Sequence, residues 1–305
     1  MRSWILTAAE QIRRWKIGNV GVTRISEGVL LSTLVEPSAE ESFLGYATGG
    51  VLRELEGMVP DFATADGAIR LAFQSYVVDT GDLRIVVDTC VGNDKHRSAH
   101  PFWERLALPF LTTLTDAGYP RETIDLVVCT HLHVDHVGWN TMLCDGRWLP
   151  TFPNATYLFG RTEFQHWQAA AAGKIGGAFH PDVFMADSIQ PIIDAGLSRL
   201  VETNHAICDS VRLVPTPGHT PGHVSVLIRS NGAEALITGD TIHHPVQVAH
   251  PDWGVAADGD RTAARATRRA LLEASADTER LLIGTHWAGR AAGRVIRVGD
   301  GFRLR

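Results

Sequence analysis

The stretch that decides the fold is residues 125–140, DLVVCTHLHVDHVGWN, in which a short apolar run leads directly into a cluster of histidines. The run over residues 125–130 is rich in β-branched residues, which is typical of a strand that is covered on both faces. We therefore predict that the histidine cluster lies on a loop at the end of a buried strand.

Working outward from this stretch, the chain alternates between strand-like and helix-like segments. Residues 17–28 alternate as a strand does, and residues 69–88 repeat the pattern on both sides of a turn at 80–82. Further strands are predicted near residues 211–214, 223–229, 234–238, 280–284 and 294–304. Good helix formers predict helices over residues 161–172 and 260–275, and one helix is expected near residues 50–57 within an otherwise loop-like stretch. Interleaved elements of both kinds predict an α/β fold, with sheets covered by helices.

The composition predicts a soluble globular enzyme. Of the 305 residues, 45% are hydrophobic and 20% are charged, so the chain can bury a large core. The formal net charge is −6, and no dense Lys/Arg cluster occurs, so we expect no nucleic-acid partner. The four cysteines are scattered, which favours neither a disulfide framework nor a cysteine metal site.

The beginning of the chain indicates where the protein is expected to act. Its first apolar run, residues 4–6, is too short for a signal-peptide core or a membrane span. We therefore predict a cytoplasmic location and no membrane partner.

No Pro/Gly/Ser-rich linker divides the chain, so we predict one compact catalytic domain over residues 69–305, preceded by an extension over residues 1–68. The extension is expected to contain a strand and a lid-like segment packed on the core. Residues 30–68 form a long, glycine-containing stretch, and long ordered loops often cover a site. The apolar residues of this expected lid are Phe43, Leu44, Tyr46 and Phe62.

The histidine cluster has the composition of a metal site. His131 and His133 point to one side of an extended backbone, and Asp135 and His136 follow after the chain turns. Imidazole and carboxylate are ligands that zinc and similar divalent cations prefer. Four such residues within six positions therefore predict a metal-binding loop.

Three further segments place a ligand-type residue after an apolar strand and a small residue. PTPGHTPGH places His219 in a constrained turn, LITGD places Asp240, and LLIGTH places His286. A single histidine in such a position would be uninformative, but the repeated arrangement makes a shared site the better interpretation. Seven ligands exceed what one tetrahedral ion uses, so we predict two adjacent cations.

These motifs resemble the metallo-β-lactamase superfamily, whose H-x-H-x-D-H pattern followed by separate His, Asp and His is matched in order over about residues 70–290. The resemblance implies a four-layer αβ/βα sandwich and a site for two divalent metals, with zinc expected and manganese, iron or cobalt as alternatives. It implies that Asp240 bridges the metals. It divides the other ligands into two sets: His131, His133 and His219 on one metal; Asp135, His136 and His286 on the other.

Within the superfamily, the long interval from His136 to His219 resembles methyl-parathion-hydrolase-like proteins and their lactonase relatives. His133 stands where the diiron oxygen-reducing branch carries Glu, which favours hydrolysis over redox chemistry. Two positions depart from the pattern. His243 replaces the tyrosine that compact homoserine lactonases carry three residues after the bridging Asp, and Trp139 replaces the second residue of a common Gly-Gly pair.

The resulting functional hypothesis is a zinc-dependent hydrolase that attacks small carboxyl esters or lactones with a metal-bridging hydroxide. A phosphotriesterase of the methyl-parathion-hydrolase type is the first alternative. A non-catalytic metal-binding or RNA-processing protein is the second. Catalytic roles are expected for Asp135, Asp240 and His243.

The residues that adjoin the ligands are candidates for contact with a small-molecule substrate. Asp88 is expected to accept the second ring N–H of a ligand histidine, as carboxylates commonly do in metal sites. A homodimer is left open as the assembly. The expected substrate contacts are Trp139, Asn140, His244 and Trp287.

Overall fold

The first part of the chain is built around a large mixed sheet. The computed structural model describes residues 3–5, 11–32, 49–176 and 180–305. The first ten strands are β1 (Ser3–Ile5), β2 (Ile12–Ile17), β3 (Val20–Ser32), β4 (Ile69–Asp79), β5 (Arg84–Val87), β6 (Leu126–Val128), β7 (Thr141–Cys144), β8 (Arg147–Pro150), β9 (Thr156–Gly160) and β10 (Ser198–Val201). All except β7 and β8 form the first sheet, in the order β1-β3-β4-β5-β6-β9-β10 with β2 also paired to β3.

The second part of the chain supplies a second sheet. Its strands are β11 (Ala206–Cys208), β12 (Val211–Pro215), β13 (Val224–Ser230), β14 (Ala233–Ile237), β15 (Leu281–Ile283), β16 (Ala292–Gly293), β17 (Val295–Val298) and β18 (Gly301–Leu304). Strands β11 to β16 form this sheet in sequence order, whereas β17 and β18 form a separate hairpin. The small hairpin β7–β8 lies outside both large sheets.

Helices lie between the strands in both parts of the chain. They are α1 (Gly49–Glu54), α2 (Phe110–Asp116), α3 (Arg161–Ala171), α4 (Pro181–Phe184), α5 (Gln190–Asp194), α6 (Val246–Ala249) and α7 (Arg261–Ser275). Helix α7 begins where the Asp260 carboxylate accepts a hydrogen bond from the backbone N–H of Ala263 at 2.9 Å, which is a standard N-cap. No helix in the described ranges is both long enough and apolar enough to cross a membrane.

The two sheets pack face to face, and helices cover their outer faces. Val78 and Val128 of the first sheet belong to the same buried cluster as Val226 and Ile237 of the second sheet. A second cluster joins the first sheet to α2, α3 and α4, and a third joins the second sheet to α7. Because burial of apolar area is the main stabilising contribution to folding, these three layers of contact hold the fold together. The predicted four-layer αβ/βα order is confirmed.

Parallel pairing brings the ligand-bearing loops to one edge of each sheet. Strands β5 and β6 are parallel, as are β14 and β15, so the carboxyl ends of each pair lie side by side. Asp88 follows β5 and the histidine cluster follows β6, while Asp240 follows β14 and His286 follows β15. The residues that the sequence places after separate strands therefore converge.

Several local predictions can be compared directly with the structure. The helices predicted over 161–172 and 260–275 are confirmed as α3 and α7, and the one near 50–57 is α1. The single strand predicted near 294–304 is wrong, because a turn at residues 299–300 divides it into β17 and β18. The hairpin β7–β8 and the helices α4 and α5 were not predicted.

Residues 49–68 of the expected lid belong to the described residues. Phe43, Leu44 and Tyr46 lie outside the described residues. Phe62 is fully buried, and its ring meets the ring of Trp287 edge to face at 6.2 Å. Strands β2 and β3, which lie within the expected extension, are part of the first sheet. The division at residues 68 and 69 and the covering role of residues 30–68 stay predictions.

Candidate metal centre

Three imidazoles from two loops meet in the first half of the site. His131 and His133 lie on the loop after β6, and His219 lies on the loop after β12. His131 Nε2 is 3.0 Å from His133 Nδ1, and His219 Nε2 is 2.8 Å from that same atom. Each residue is at most 3% exposed. Three ring nitrogens thus face one small volume.

A carboxylate and two imidazoles form the second half of the site. His136 Nε2 lies 3.2 Å from His286 Nε2. Asp135 Oδ2 lies 3.8 Å from the former nitrogen and 3.5 Å from the latter. The Asp135 side chain is 11% exposed, which makes it the most accessible member of this set.

Asp240 lies between the two halves and presents one oxygen to each. Its Oδ2 is 3.6 Å from His131 Nε2 and 3.4 Å from His219 Nε2. Its Oδ1 is 3.3 Å from His136 Nε2 and 3.2 Å from His286 Nε2. The structure therefore brings all seven expected ligands together, with the one carboxylate shared by both sets in the middle.

The hydrogen bonds of three ligand histidines show which ring nitrogen faces the centre. His136 Nδ1 donates to Asp88 Oδ2 at 3.0 Å, and His219 Nδ1 donates to Asp258 Oδ1 at 2.9 Å. His286 Nδ1 donates to the carbonyl oxygen of Ala72 at 2.9 Å. Because these partners can only accept, the proton lies on Nδ1 and the lone pair on Nε2 faces the centre. Several lone pairs directed at one point fit a cation, so the donor set suits a pair of divalent metals.

Electrostatics in the first half also suits a cation. Burial lowers the pKa of His131 and of His133 well below the ordinary value, and the neighbouring rings lower both further. Both imidazoles are therefore neutral at physiological pH. Neutral imidazole is the form that coordinates a metal.

The carboxylates of the second half attract positive charge. Burial alone would lower the pKa of His136 and of His286, but the carboxylates of Asp240 and Asp135 outweigh it and raise both. The same histidines hold the pKa of Asp240 well below its ordinary value despite its burial. This carboxylate is therefore ionised, and a bound divalent cation satisfies the charge that the protons would otherwise supply.

His243 lies beside both halves. Its Nε2 is 2.9 Å from Asp240 Oδ2, and its ring stacks on that of His286 with centroids 5.5 Å apart. Its Nδ1 is buried and has no hydrogen-bond partner among the described residues. This ring is therefore placed where it can contact both the centre and a molecule bound next to it.

Two supporting residues escaped the sequence analysis. Asp258 orients His219, as described above, and also lies 3.4 Å from the guanidinium of Arg268. His223 Nε2 accepts the backbone N–H of Asp240 at 2.9 Å, and burial lowers the pKa of His223 to about 3, which keeps this acceptor unprotonated. Gly239, the residue before Asp240, has φ +53°, and a Cβ there would lie 2.6 Å from His223 Nε2. The second histidine of PTPGHTPGH was a signal for this contact, whereas Asp258 resembles an ordinary turn residue.

A cleft of about 360 Å³ borders the first half of the site. His133 and His219 form part of its wall, and Thr220 and Asp260 contribute polar groups. The remaining wall is largely apolar, which is typical of a small-molecule site. The apolar side chains are Trp167, Pro217, Pro221, Ala257 and Ala263.

The two aromatic residues expected to contact substrate lie in the protein interior, and their contact with substrate stays a prediction. Trp139 is 4% exposed, stacks on Phe110 at 5.3 Å and donates its indole N–H to Glu27 Oε1 at 2.8 Å. Trp287 is fully buried and donates to the carbonyl oxygen of Ile242 at 2.9 Å. Each indole is therefore held in the protein core, and neither borders the cleft.

The two polar contacts expected beside them are also buried. His244 Nε2 donates to the carbonyl oxygen of Phe62 at 2.9 Å, and its Nδ1 accepts the backbone N–H of Val246 at 3.1 Å. Asn140 Oδ1 accepts the hydroxyl of Thr89 at 3.0 Å. Both side chains are fully buried and hold neighbouring loops rather than facing a free surface.

The curated proteins that are similar to this chain include N-acyl homoserine lactonases. An N-acyl homoserine lactonase, AiiA of Bacillus thuringiensis subsp. kurstaki, is 25% identical over 180 residues, which are 55% of this chain and 63% of that protein. The chain thus spans less than two thirds of the length of this curated relative.

Solved structures resemble the chain over nearly its whole length. AidC, described as a dizinc quorum-quenching lactonase in complex with a product, has a TM-score of 0.78 and 22% identity over 98% of both chains. The hydrolase AbOPH, described as a member of the beta lactamase superfamily, has a TM-score of 0.76 and 22% identity, again over 98% of both chains. At these identities the likeness establishes the fold.

The family model supplies the decisive comparison. The model described as metallo-beta-lactamase superfamily matches residues 73–286, a span that begins in β4 and ends at the last ligand histidine. It covers most of the chain and contains all seven residues of the centre. The chain therefore belongs to the metallo-beta-lactamase superfamily.

Proposed function

We propose that this protein is a hydrolase of small lactones or carboxyl esters that works with two divalent metals, with zinc as the expected ion. The observation that carries the proposal is the position of Asp240, whose two oxygens each face a separate set of ligand atoms at 3.2–3.6 Å. A shared carboxylate between two ligand sets is the arrangement that two-metal hydrolytic sites require.

His131, His133 and His219 would hold one metal, and Asp135, His136 and His286 would hold the other. When bound, two such ions supply a nucleophile at neutral pH and stabilise the charge that develops on the substrate oxygen. Asp88 and Asp258 keep the ligand imidazoles in the tautomer that binds a cation.

Asp135 and His243 are the residues through which the chain would handle protons. Asp135 is the more exposed carboxylate of the centre, so it can orient a water molecule and carry a proton towards the leaving oxygen. The His243 side chain is 13% exposed and its Nε2 lies 2.9 Å from Asp240 Oδ2, so this ring can reach a substrate bound at the centre. An imidazole would thereby take the role of the tyrosine in compact homoserine lactonases, which assists the lactone carbonyl.

The cleft supports an acyl substrate. Its apolar wall, formed by residues such as Trp167 and Ala263, lies next to His133 and His219. An acyl chain bound there would place its carbonyl group near the first metal ligands. The lactonase relatives and the net charge of −6 both favour a small lactone over a nucleic acid.

A substrate panel tests the proposal. The full chain, loaded in separate samples with zinc, manganese or cobalt, is assayed with an acyl lactone, an aryl carboxylate ester, a dialkyl aryl phosphate and a β-lactam. We expect the highest kcat/KM for the lactone or the carboxylate ester. A clear preference for the phosphate would replace this proposal with a phosphotriesterase. Absence of turnover in samples that contain two metals would contradict a hydrolase of these classes.

A further inference from the structure

Two carboxylates outside the ligand set are buried beside the centre. Glu163 and Glu27 are each 1% exposed. Burial of an ionised carboxylate is unfavourable unless hydrogen bonds compensate for the lost hydration. Within the described residues, the hydrogen bonds that reach them come from backbone N–H, indole N–H and hydroxyl groups. These hydrogen bonds show that each side chain links specific segments of the protein.

Glu163, in the first turn of α3, joins the two loops that carry the first set of ligands. Its Oε1 accepts the backbone N–H of Leu132, the residue between His131 and His133, at 3.0 Å. Its Oε2 accepts the hydroxyl of Thr220, the residue after His219, at 2.7 Å. One carboxylate therefore fixes the spacing between all three imidazoles.

The surrounding contacts of Glu163 strengthen this link. Oε2 also accepts the backbone N–H of Gly222 at 3.0 Å, and a Cβ at Gly222 would lie 2.3 Å from the Glu163 backbone nitrogen. Oε1 also accepts the indole N–H of Trp167 at 2.6 Å, and that indole meets the ring of His133 at 5.2 Å. The loop after β12 is thus held directly against the beginning of α3.

Glu27 occupies the corresponding position in the second half. The β3–β4 register shifts between Ser26 and Gly28, so Glu27 lies in a bulge, a feature that redirects a side chain. Its carboxylate accepts the backbone N–H of Val91 at 2.9 Å and of Gly92 at 3.0 Å. It also accepts the indole N–H of Trp139 at 2.8 Å.

These contacts join two segments that position His136. Thr89 donates its backbone N–H to the carbonyl oxygen of His136 at 2.8 Å, and Trp139 donates its backbone N–H to the carbonyl oxygen of Thr89 at 2.8 Å. Asp88, the residue before Thr89, accepts the ring N–H of His136. Glu27 therefore holds together the segment that orients His136 and the segment that follows it.

We propose that Glu163 and Glu27 are positioning residues, each serving a different metal. Glu163 sets the affinity for the metal of His131, His133 and His219, and Glu27 sets the affinity for the metal of Asp135, His136 and His286. This inference rests on the two-metal centre of the proposed function. Neither carboxylate contacts a ligand atom, so each acts through the backbone of the ligand loops.

The test is metal content of the full chain after dialysis against a weak chelator, measured by emission spectrometry. The variants are Glu163→Gln and Glu27→Gln, because an amide replaces one acceptor oxygen with a donor that faces N–H groups. We expect about two metals per chain in the wild type and about one in each variant. Circular dichroism and the Tm of each sample establish that the variants are folded.

Second substitutions identify which metal remains. In Glu163→Gln, adding His286→Ala is expected to remove the remaining metal, whereas adding His219→Ala is expected to change little. In Glu27→Gln, adding His219→Ala is expected to remove the remaining metal, whereas adding His286→Ala is expected to change little. A merely structural role would instead lower Tm and release both metals together, with no such difference between the two variants.

Milder variants keep the proposal testable where a Gln variant does not fold. Thr220→Val removes one donor to Glu163, and Trp139→Phe removes one donor to Glu27. We expect each to weaken retention of the same metal as the corresponding Gln variant. Equal loss of both metals from either variant would overturn the assignment. A wild-type chain that retains no divalent metal would instead contradict the proposed function itself.

Discussion

The two halves of the centre use different means to hold a cation. The first half is formed by the imidazoles of His131, His133 and His219, all nearly inaccessible to solvent. Burial keeps the pKa of His131 and of His133 well below the ordinary value. The second half contains the carboxylate of Asp135 and lies next to that of Asp88. Apart from the shared Asp240, the ligands expected in the first half are all imidazoles, whereas those of the second half include the carboxylate of Asp135.

This difference predicts how each half responds to substitution. A small displacement of a loop changes the fit of three imidazole ligands, so the first half is sensitive to packing and hydrogen bonds. Removal of a negative charge changes the attraction for a cation, so the second half is sensitive to neutralisation of a carboxylate. Asp240 is the one residue to which both considerations apply.

The largest effect is therefore expected for Asp240→Ala. Loss of the shared carboxylate should remove both metals and lower kcat/KM by about 1000-fold or more. Metal analysis and steady-state kinetics on one preparation provide the measurement. His205→Ala is the control, because His205 lies outside the centre. Indistinguishable behaviour of the two variants would show that the ligand assignment is wrong.

A matched pair of substitutions separates the two halves. Asp258→Asn and Asp88→Asn each replace the acceptor of a ring N–H, of His219 and of His136 respectively. Substitution of such partners costs about 10–100-fold in metal affinity. We expect the larger loss for Asp88→Asn, because Asp88 also raises the pKa of His136.

Competition with a coloured chelator measures the two stepwise metal affinities of this pair. Asp258→Asn should weaken one step and Asp88→Asn the other, and adding His219→Ala or His286→Ala identifies each step. If both substitutions weakened the same step to the same extent, the two halves would not be independent.

The convergence of the seven candidate ligands was predictable from the sequence because each follows an apolar strand in a short, recognisable segment. Parallel pairing of β14 with β15 then brings Asp240 and His286 together without any further sequence signal. The environment of Trp139 was not predictable, for the opposite reason. Its neighbours along the chain are ligands, but its environment is set by Glu27, which is 112 positions away in the sequence.

Supporting residues are harder to predict because their partners are distant. Glu163 resembles any acidic residue in the first turn of a helix, where it is favoured by the helix dipole. Only the tertiary fold shows that its carboxylate points inward to Leu132 and Thr220. Local sequence therefore predicts the strand ends and the ligands, whereas long-range contacts determine what orients them.

A smaller effect is expected at His243, which contacts both halves through Asp240 and His286. His243→Phe removes both ring nitrogens and should lower kcat/KM for a lactone by about 100-fold with metal content unchanged. His243→Tyr restores a hydrogen-bonding group at this position and should recover part of the loss. If His243→Phe released a metal, His243 would be a ligand rather than a contact for substrate.

The smallest effect on the metal centre is expected for substitution of Lys95, a buried charged residue that neither half contacts. This substitution tests whether sensitivity to charge is specific to the centre. Lys95 is fully buried, donates to Thr141 Oγ1 at 2.6 Å and lies 3.6 Å from the ring centroid of Trp148. Burial lowers the pKa of Lys95 to about 7, although Asp187 opposes the shift.

In the unfolded chain the Lys95 amine has its ordinary pKa of about 10.4. Between these values the unfolded state binds more protons, so this group makes folding more favourable as pH rises from 7 to about 10. The Tm of the wild type relative to Lys95→Met should therefore increase over that range, by about 2–4 °C for each kcal/mol. Metal content should be the same in both proteins. A Tm difference that stayed constant with pH would show that Lys95 remains charged inside the protein, held by the Asp187 carboxylate at 3.5 Å.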